Sequence, residues 1–112
     1  MGAHGKSEAA RLFAEGLAHQ QAGRLAEACR CYERGLKHDP GNPDALFLLG
    51  KARFDGGDVL VGERKMRAAI SAWPRAANYR AGLALSLFGA NRAGEALEDF
   101  LHAVRGIPGD PA

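Results

Sequence analysis

Large apolar, small and turn-forming residues recur along this chain at one fixed spacing of 34 positions. Large side chains fill the spaces between packed helices, and small residues let two helix backbones approach closely. A period of this length indicates a helix–turn–helix repeat. The recurring sets are Tyr32, Met66 and Phe100; Leu36, Ile70 and Val104; Gly16, Gly50 and Ala84; Ala28, Gly62 and Ala96; Gly35, Ala69 and Ala103; and Pro40, Pro74 and Pro108.

Turn and cap residues divide each period into two helices. Gly23, Gly57 and Asn91 share one position and all tolerate a positive φ angle, which suits the end of the first helix of a pair. Asn42 precedes a proline and predicts an N-cap for the third helix, and Asp58 is a candidate cap for the fourth. The predicted helices lie near residues 8–22, 25–38, 43–55, 59–72, 77–89 and 93–106.

Two stretches of the chain carry a family resemblance. They are Gly23-Arg-Leu-Ala-Glu-Ala28 with Tyr32, Gly35, Leu36 and Asp39-Pro40, and Asn91-Arg-Ala-Gly-Glu-Ala96-Leu97 with Phe100 and Pro108. On these residues the chain resembles a tetratricopeptide repeat (TPR) protein over about residues 9–110. The resemblance implies an all-α fold, a right-handed α-solenoid of three helix–turn–helix repeats with six antiparallel helices.

The period also divides the chain into units. Residues 1–8 carry no pattern, and we expect a disordered lead or an added expression sequence there. Asp110 and Pro111 lie two periods after the Asn42 cap and its proline, so we expect residues 111–112 to start a further, truncated helix of a longer protein. The expected repeats are residues 9–42, 43–76 and 77–110.

An array that stops after three repeats is expected to leave an apolar edge on its last helix, because repeat arrays normally end in a capping element with a polar outer face. Leu97, Leu101 and Val104 are the candidates for this edge. The alternative to a truncated protein is a natural short chain. Such a chain would cover its uncapped C-terminal edge by self-association, as a homo-oligomer.

Charge and cysteine content narrow the class of protein. Lysine and arginine total 15 against 13 aspartates and glutamates, a balance too even to indicate nucleic acid or a membrane surface as partner. No apolar run reaches the roughly 18–20 residues of a membrane span, and no signal peptide precedes the first helix.

Cys29 and Cys31 fall on different faces of one helix, which fits neither a mutual disulfide nor a zinc site. We expect reduced cysteines in a cytoplasmic protein.

The sequence offers no catalytic constellation. The histidines occupy different repeat positions, and none of the three serines stands in a nucleophile elbow. Gly5-Lys6-Ser7 lacks the earlier glycine and the strand that a phosphate-binding loop needs. We therefore expect no enzyme activity, no cofactor and no metal. The residues considered are His4, His19, His38, His102, Ser7, Ser71 and Ser86.

The TPR resemblance implies a concave groove lined by the first helix of each repeat, where family members hold a peptide or a partner helix. Four of the five phenylalanines map to groove positions, which we expect to face away from the helix packing. An apolar patch left in water usually marks an interaction site. The alternative is that Phe54 and Phe88 fold back against the next repeat. The groove set comprises Phe13, Leu17, Gln20, Asp44, Phe47, Lys51, Phe54, Asn78, Leu85 and Phe88.

Within the family, domains that bind a chaperone's acidic tail grip its terminal carboxylate with Lys, Asn and Arg. The matching positions here carry only one polar residue, Asn78, and no cation, and we do not expect such binding. We predict a non-catalytic protein–protein interaction module, a scaffold or adaptor that binds an apolar peptide or helix. The alternatives are a self-association module and the repeat segment of a larger enzyme such as a transferase. The matching positions are Phe13, Leu17, Leu48, Asn78 and Gly82.

Overall fold

The computed structural model describes residues 2–105, with the side chains of residues 2–4, 93, 99, 100 and 102–104 left aside. Within this part of the chain every regular element is a helix, so the predicted all-α solenoid is confirmed. The helices are α1 (Gly2–Gln21), α2 (Leu25–His38), α3 (Pro43–Asp55), α4 (Val59–Ala72), α5 (Ala77–Gly89) and α6 (Ala93–Arg105).

The helices pack first in pairs and then between pairs. Helices α1 and α2 form the first pair, α3 and α4 the second, and α5 and α6 the third. Between pairs, α2 lies against α3 and α4 lies against α5. The first helices of successive pairs also touch, α1 with α3 and α3 with α5. The first helix of each later pair therefore packs on both helices of the pair before it.

The turns inside the pairs adopt the backbone conformation that the sequence predicts. Gly23, Gly57 and Asn91 have φ angles of 81°, 109° and 64°. These are the positive-φ residues of the described chain, and they stand 34 positions apart. Glycine and asparagine tolerate this region better than other residues, which is why these three residues can reverse the chain between paired helices.

Small residues bring the paired helices into close contact. A Cβ atom on Gly62 would lie 2.6 Å from the Cα of Phe54, and one on Gly16 would lie 2.7 Å from the ring of Tyr32. Tyr32 and Met66, the large members of the recurring sets, are fully buried beside them. The predicted alternation of small and large residues therefore sets the spacing within the pairs.

The two predicted N-caps differ in outcome. The side chain of Asn42 accepts a hydrogen bond from the backbone N–H of Ala45 at 3.0 Å, so this cap is confirmed. Asp58 holds the N-cap position of α4 but makes no capping bond, so that prediction is wrong. Its backbone leaves the extended conformation that Asn42 adopts, and its carboxylate lies 3.8 Å from the guanidinium of Arg53.

The N-terminal segment differs from the expected disordered lead over residues 1–8. Helix α1 begins at Gly2, and no proline interrupts it. Gly5 lies beside the end of α2, where an added Cβ would be 3.8 Å from the carbonyl oxygen of His38. The expected helix start at Asp110 and Pro111 lies outside the described residues. None of the described helices is long and apolar enough to cross a bilayer.

Two glycine-to-alanine changes test the close packing within the pairs. We expect Gly62→Ala to lower the free energy of unfolding by about 1–3 kcal/mol, because its methyl group would collide with the backbone of α3. Gly94→Ala is the matched control, since its Cβ would meet nothing within 4 Å. We expect it to stabilise the fold by about 0.5 kcal/mol. Urea unfolding measures both, and equal stabilisation by the two changes would contradict the account.

Candidate functional site

The aromatic part of the groove set is divided between the protein interior and its surface. Phe47 and Phe54 are only 4% and 3% exposed, so the prediction that they line an open groove is wrong. Phe88 is 68% exposed. The expected groove positions of α3 are also positions where the next repeat packs, which is why α5 covers them.

The burial of Phe47 has a specific cause. Its ring stacks on that of Tyr79 in α5, with the ring centroids 4.7 Å apart and the planes 10° from parallel. Gly82, one turn further along α5, has no side chain, and a Cβ there would lie 2.9 Å from the Phe47 ring. Helix α5 can therefore close directly over this ring.

Phe54 is buried in the same cluster as Leu83 and Leu87 of α5. The alternative in which Phe54 folds back against the next repeat is therefore correct for this residue. It is wrong for Phe88, which remains exposed. In the first repeat, Phe13 is half-buried against Gly35.

Two polar residues of the groove set, Gln20 and Asp44, already accept hydrogen bonds from buried tyrosines. The Tyr32 hydroxyl donates to the side-chain oxygen of Gln20 at 2.6 Å, and burial raises the pKa of Tyr32 to about 12. The Tyr79 hydroxyl donates to the Asp44 carboxylate at 2.5 Å. Burial, and then this bond, raise the pKa of Tyr79. Gln20 and Asp44 thus serve the packing of the array, while Asn78 is exposed.

Lys51 is the one groove-set cation, and two side chains hold it. Its ammonium group lies 3.0 Å from the Asp55 carboxylate and donates to the Ser86 hydroxyl at 2.9 Å. Ser86 is a buried polar residue that the groove set omits. It is the one polar residue between Leu83 and Phe88, and that isolation in an apolar run could have pointed to it.

A cavity of about 340 Å³ opens beside this lysine. It lies where the ends of α3 and α5 meet the start of α4. Lys51, Asp55 and Ser86 form its polar side, and Val59 and Leu85 are its exposed apolar lining, with the buried Phe54 behind them. The cavity therefore presents both apolar and polar groups beside Leu85.

The exposed apolar residues of α5 form the surface that we call the α5 face, defined as Ala81, Leu85 and Phe88. Leu85 is 69% exposed and Phe88 68%, and they stand one helical turn apart. Ala81 is half-buried on the same side, one turn before Leu85. Leu17, the remaining apolar member of the groove set, is exposed on α1. The structure thus brings Leu85 to the cavity beside Lys51, with Phe88 one turn further along α5, but it does not bring Asn78 or the first-repeat members to this cavity.

The chain edge predicted at α6 is also apolar and open. Leu97 is 59% exposed, and Leu101 is exposed too. The side chain of Val104 lies outside the described residues.

Of the five positions matched to a carboxylate grip, the described structure shows Leu17 and Asn78 exposed and Phe13, Leu48 and Gly82 half-buried. None of these residues is a cation.

Neither cysteine lines the cavity beside Lys51. Cys29 and Cys31 are free thiols, and burial raises the pKa of Cys29, which keeps it protonated. Cys31 is buried. Over the described residues, no group of three or more His, Cys, Asp or Glu side chains is placed to hold a metal ion.

Stacked antiparallel helix pairs with a recurring turn residue and an open face on the last pair define a helical-repeat protein. A family model described as tetratricopeptide repeat matches residues 13–60 and 50–111, and the chain belongs to that family. No match was found among curated proteins.

One similar solved structure is the first TPR of Spaghetti (RPAP3) bound to the HSP90 peptide SRMEEVD. The two chains are 22% identical with a TM-score of 0.74, and the match covers 95% of this chain and 84% of that one. At this level of identity the likeness shows the shared fold. The chemistry of the site has to be argued from this chain's own residues.

Replacing Phe47 by alanine tests the correction to the groove. We expect Phe47→Ala to lower the free energy of unfolding by about 3–5 kcal/mol, because it removes a buried ring between α3 and α5. The matched change Phe88→Ala removes the same side chain from an exposed position, and we expect an effect within about 0.5 kcal/mol. Denaturant unfolding followed by circular dichroism measures both. Similar losses of stability for the two variants would contradict the burial of Phe47 and the exposure of Phe88.

Proposed function

We propose that this chain is a non-catalytic protein-interaction module. Its partner is a segment that carries apolar side chains, and this segment binds to the α5 face and the adjoining cavity. The observation that carries the proposal is the exposure of Leu85 and Phe88, at 69% and 68%. Each such side chain forgoes roughly 1.5–3 kcal/mol that burial would contribute. A partner that covers both residues recovers part of this free energy.

The polar side of the cavity supports a partner that brings no charge of its own. The Lys51 ammonium already has the Asp55 carboxylate and the Ser86 hydroxyl as partners. An incoming carboxylate would have to compete with Asp55 for this one cation. An apolar segment leaves these bonds in place and covers them from water.

The similar TPR structure binds an acidic peptide, SRMEEVD. The positions that the family resemblance matches to a carboxylate grip hold Phe13, Leu17, Leu48, Asn78 and Gly82 in this chain. A terminal carboxylate is held most strongly by charge-assisted hydrogen bonds, and these five residues offer no cation for them. We therefore assign this chain a ligand of different chemistry from that peptide.

Selection from a displayed random-peptide library tests the proposal. We expect the wild-type protein to enrich peptides rich in apolar residues. The double variant Leu85→Ala with Phe88→Ala is expected to bind those peptides about tenfold or more weakly, since a tenfold loss corresponds to about 1.4 kcal/mol. Leu60→Ala is the matched control, because Leu60 is 70% exposed on α4 and does not line the cavity. Fluorescence anisotropy measures the affinities.

Two results would contradict the proposal. One is the absence of any enriched peptide, and the other is equal binding of the enriched peptides by the wild-type protein and the double variant. The peptide SRMEEVD is a further arm of the experiment. If wild-type protein and the double variant both bind that peptide tightly, the ligand is acidic and binds at a surface other than the α5 face.

A further inference from the structure

One side of helix α2 is basic and open to solvent. Arg30, Arg34 and Lys37 have the spacing i, i+4 and i+7, which places their side chains along one side of the helix. All three are exposed, whereas Ala28 and Tyr32 are buried on the opposite side. The packing of the array therefore leaves these three cations accessible to a partner.

The basic side of α2 has a counterpart on α4. Arg64 stands 34 positions after Arg30, and it is also exposed. Helices α2 and α4 are the second helices of successive pairs, and both pack against α3. Because successive repeats stack in the same way, Arg30 and Arg64 lie on the same side of the array. We call Arg30, Arg34, Lys37 and Arg64 the basic row.

The basic row forms no ion pair within the part of the chain that the structure describes. Two carboxylates on the same helices are bound to other arginines. Glu33 of α2 pairs with Arg53 of α3, and Glu63 of α4 accepts a bond from Arg92 at 2.6 Å. Glu27, the remaining carboxylate of α2, is half-buried and does not pair with the row. The four positive charges of the row therefore remain uncompensated.

The chemistry of the row favours carboxylates as its ligands. Like charges four residues apart on a helix repel each other, and Arg30 and Arg34 have this spacing. An anionic group that lies between them relieves the repulsion. Three of the four cations are arginines, whose planar guanidinium can donate two parallel hydrogen bonds to one carboxylate. A segment rich in aspartate and glutamate is thus complementary to the row.

The third repeat limits how far an anionic partner can extend. Glu98 stands 34 positions after Arg64 and is exposed, so the same repeat position changes from positive to negative. A long polyanion or a flat anionic membrane that covered all three repeats would meet this carboxylate, and facing like charges oppose binding. Single-stranded nucleic acid also needs aromatic rings for stacking. The one aromatic ring of α2 and α4, that of Tyr32, is fully buried.

We infer that the basic row is a second interaction surface, which binds a short acidic segment of a protein partner. The segment covers the first two repeats and ends before the third. In the described chain, α2 carries three of the four cations and does not contact α5. The row is therefore separate from the α5 face, and its role goes beyond the proposed function.

A peptide titration tests the basic row. The probe is a flexible peptide of about eight residues, mostly glutamate, which when extended can reach from α2 to α4 across α3. Its control has glutamine in place of every glutamate. The row variant is Arg30→Gln with Arg34→Gln. The matched variant is Arg75→Gln with Arg105→Gln, because it removes the same charge at exposed positions outside α2 and α4.

We expect the wild-type protein to bind the glutamate probe, and the row variant to bind it about tenfold more weakly. The matched variant is expected to bind the probe as the wild type does, and the glutamine peptide is expected to bind neither protein. Exposed ion pairs are screened by salt, so the affinity should fall as salt is added. NMR titration of the backbone amides measures the affinity and locates the probe, and circular dichroism verifies that each variant is folded.

The α5 face and the basic row can be tested separately. The variant Leu85→Ala with Phe88→Ala keeps all four cations of the row, and we expect it to bind the glutamate probe as the wild type does. Apolar peptides that bind through the α5 face are expected to bind the row variant normally. Either proposal can therefore fail while the other stands.

Three results of the titration would overturn the inference: no binding by the wild type, equal binding by the row variant, or equal losses in the row and matched variants. Tighter binding of a single-stranded oligonucleotide or of phosphatidylserine vesicles than of the glutamate probe would also overturn it, and would assign the row to nucleic acid or to a membrane. Self-association that is lost in the row variant, measured by sedimentation, would assign the row to a second copy of the chain instead.

Discussion

The contact of Phe47 with Tyr79 and Gly82 is the interaction on which the rest of the candidate site depends. Because glycine lets α5 close over the ring, the middle repeat has no open aromatic face at Phe47 and packs closely on the third repeat. The same closure brings Ser86 to Lys51. It thereby forms one wall of the cavity, and it leaves Leu85 and Phe88 exposed on α5.

Most of the fold was predictable because the residues that recur with the period form turns, caps and close helix contacts through their own local chemistry. The positive-φ turns at Gly23, Gly57 and Asn91 and the Asn42 cap depend on residue type and sequence neighbours alone. The exposure of a groove position depends instead on whether another helix lies over it. The period assigns Phe54 and Phe88 to one position, but the first has a following repeat to cover it and the second has none among the described residues.

Membership of the TPR family defines the scaffold. Residue differences at equivalent repeat positions are the basis of the proposed binding preference. The pairs Lys51–Ser86 and Glu63–Arg92 join the second repeat to the third with polar bonds. Their equivalents on the open side are leucines, so the contact chemistry changes from polar to apolar at the end of the described array. That change is the physical basis for proposing an apolar ligand rather than an acidic tail.

The central claim is that one repeat position is buried beneath the next helix in the second repeat and open in the third. Hydroxyl-radical footprinting read by mass spectrometry measures this directly in the unliganded wild-type protein. The account predicts rapid oxidation of Phe88 and Leu85, and much slower oxidation of Phe47 and Phe54 than in the unfolded chain. Protection of Phe88 equal to that of Phe54, or rapid oxidation of Phe47, would contradict it.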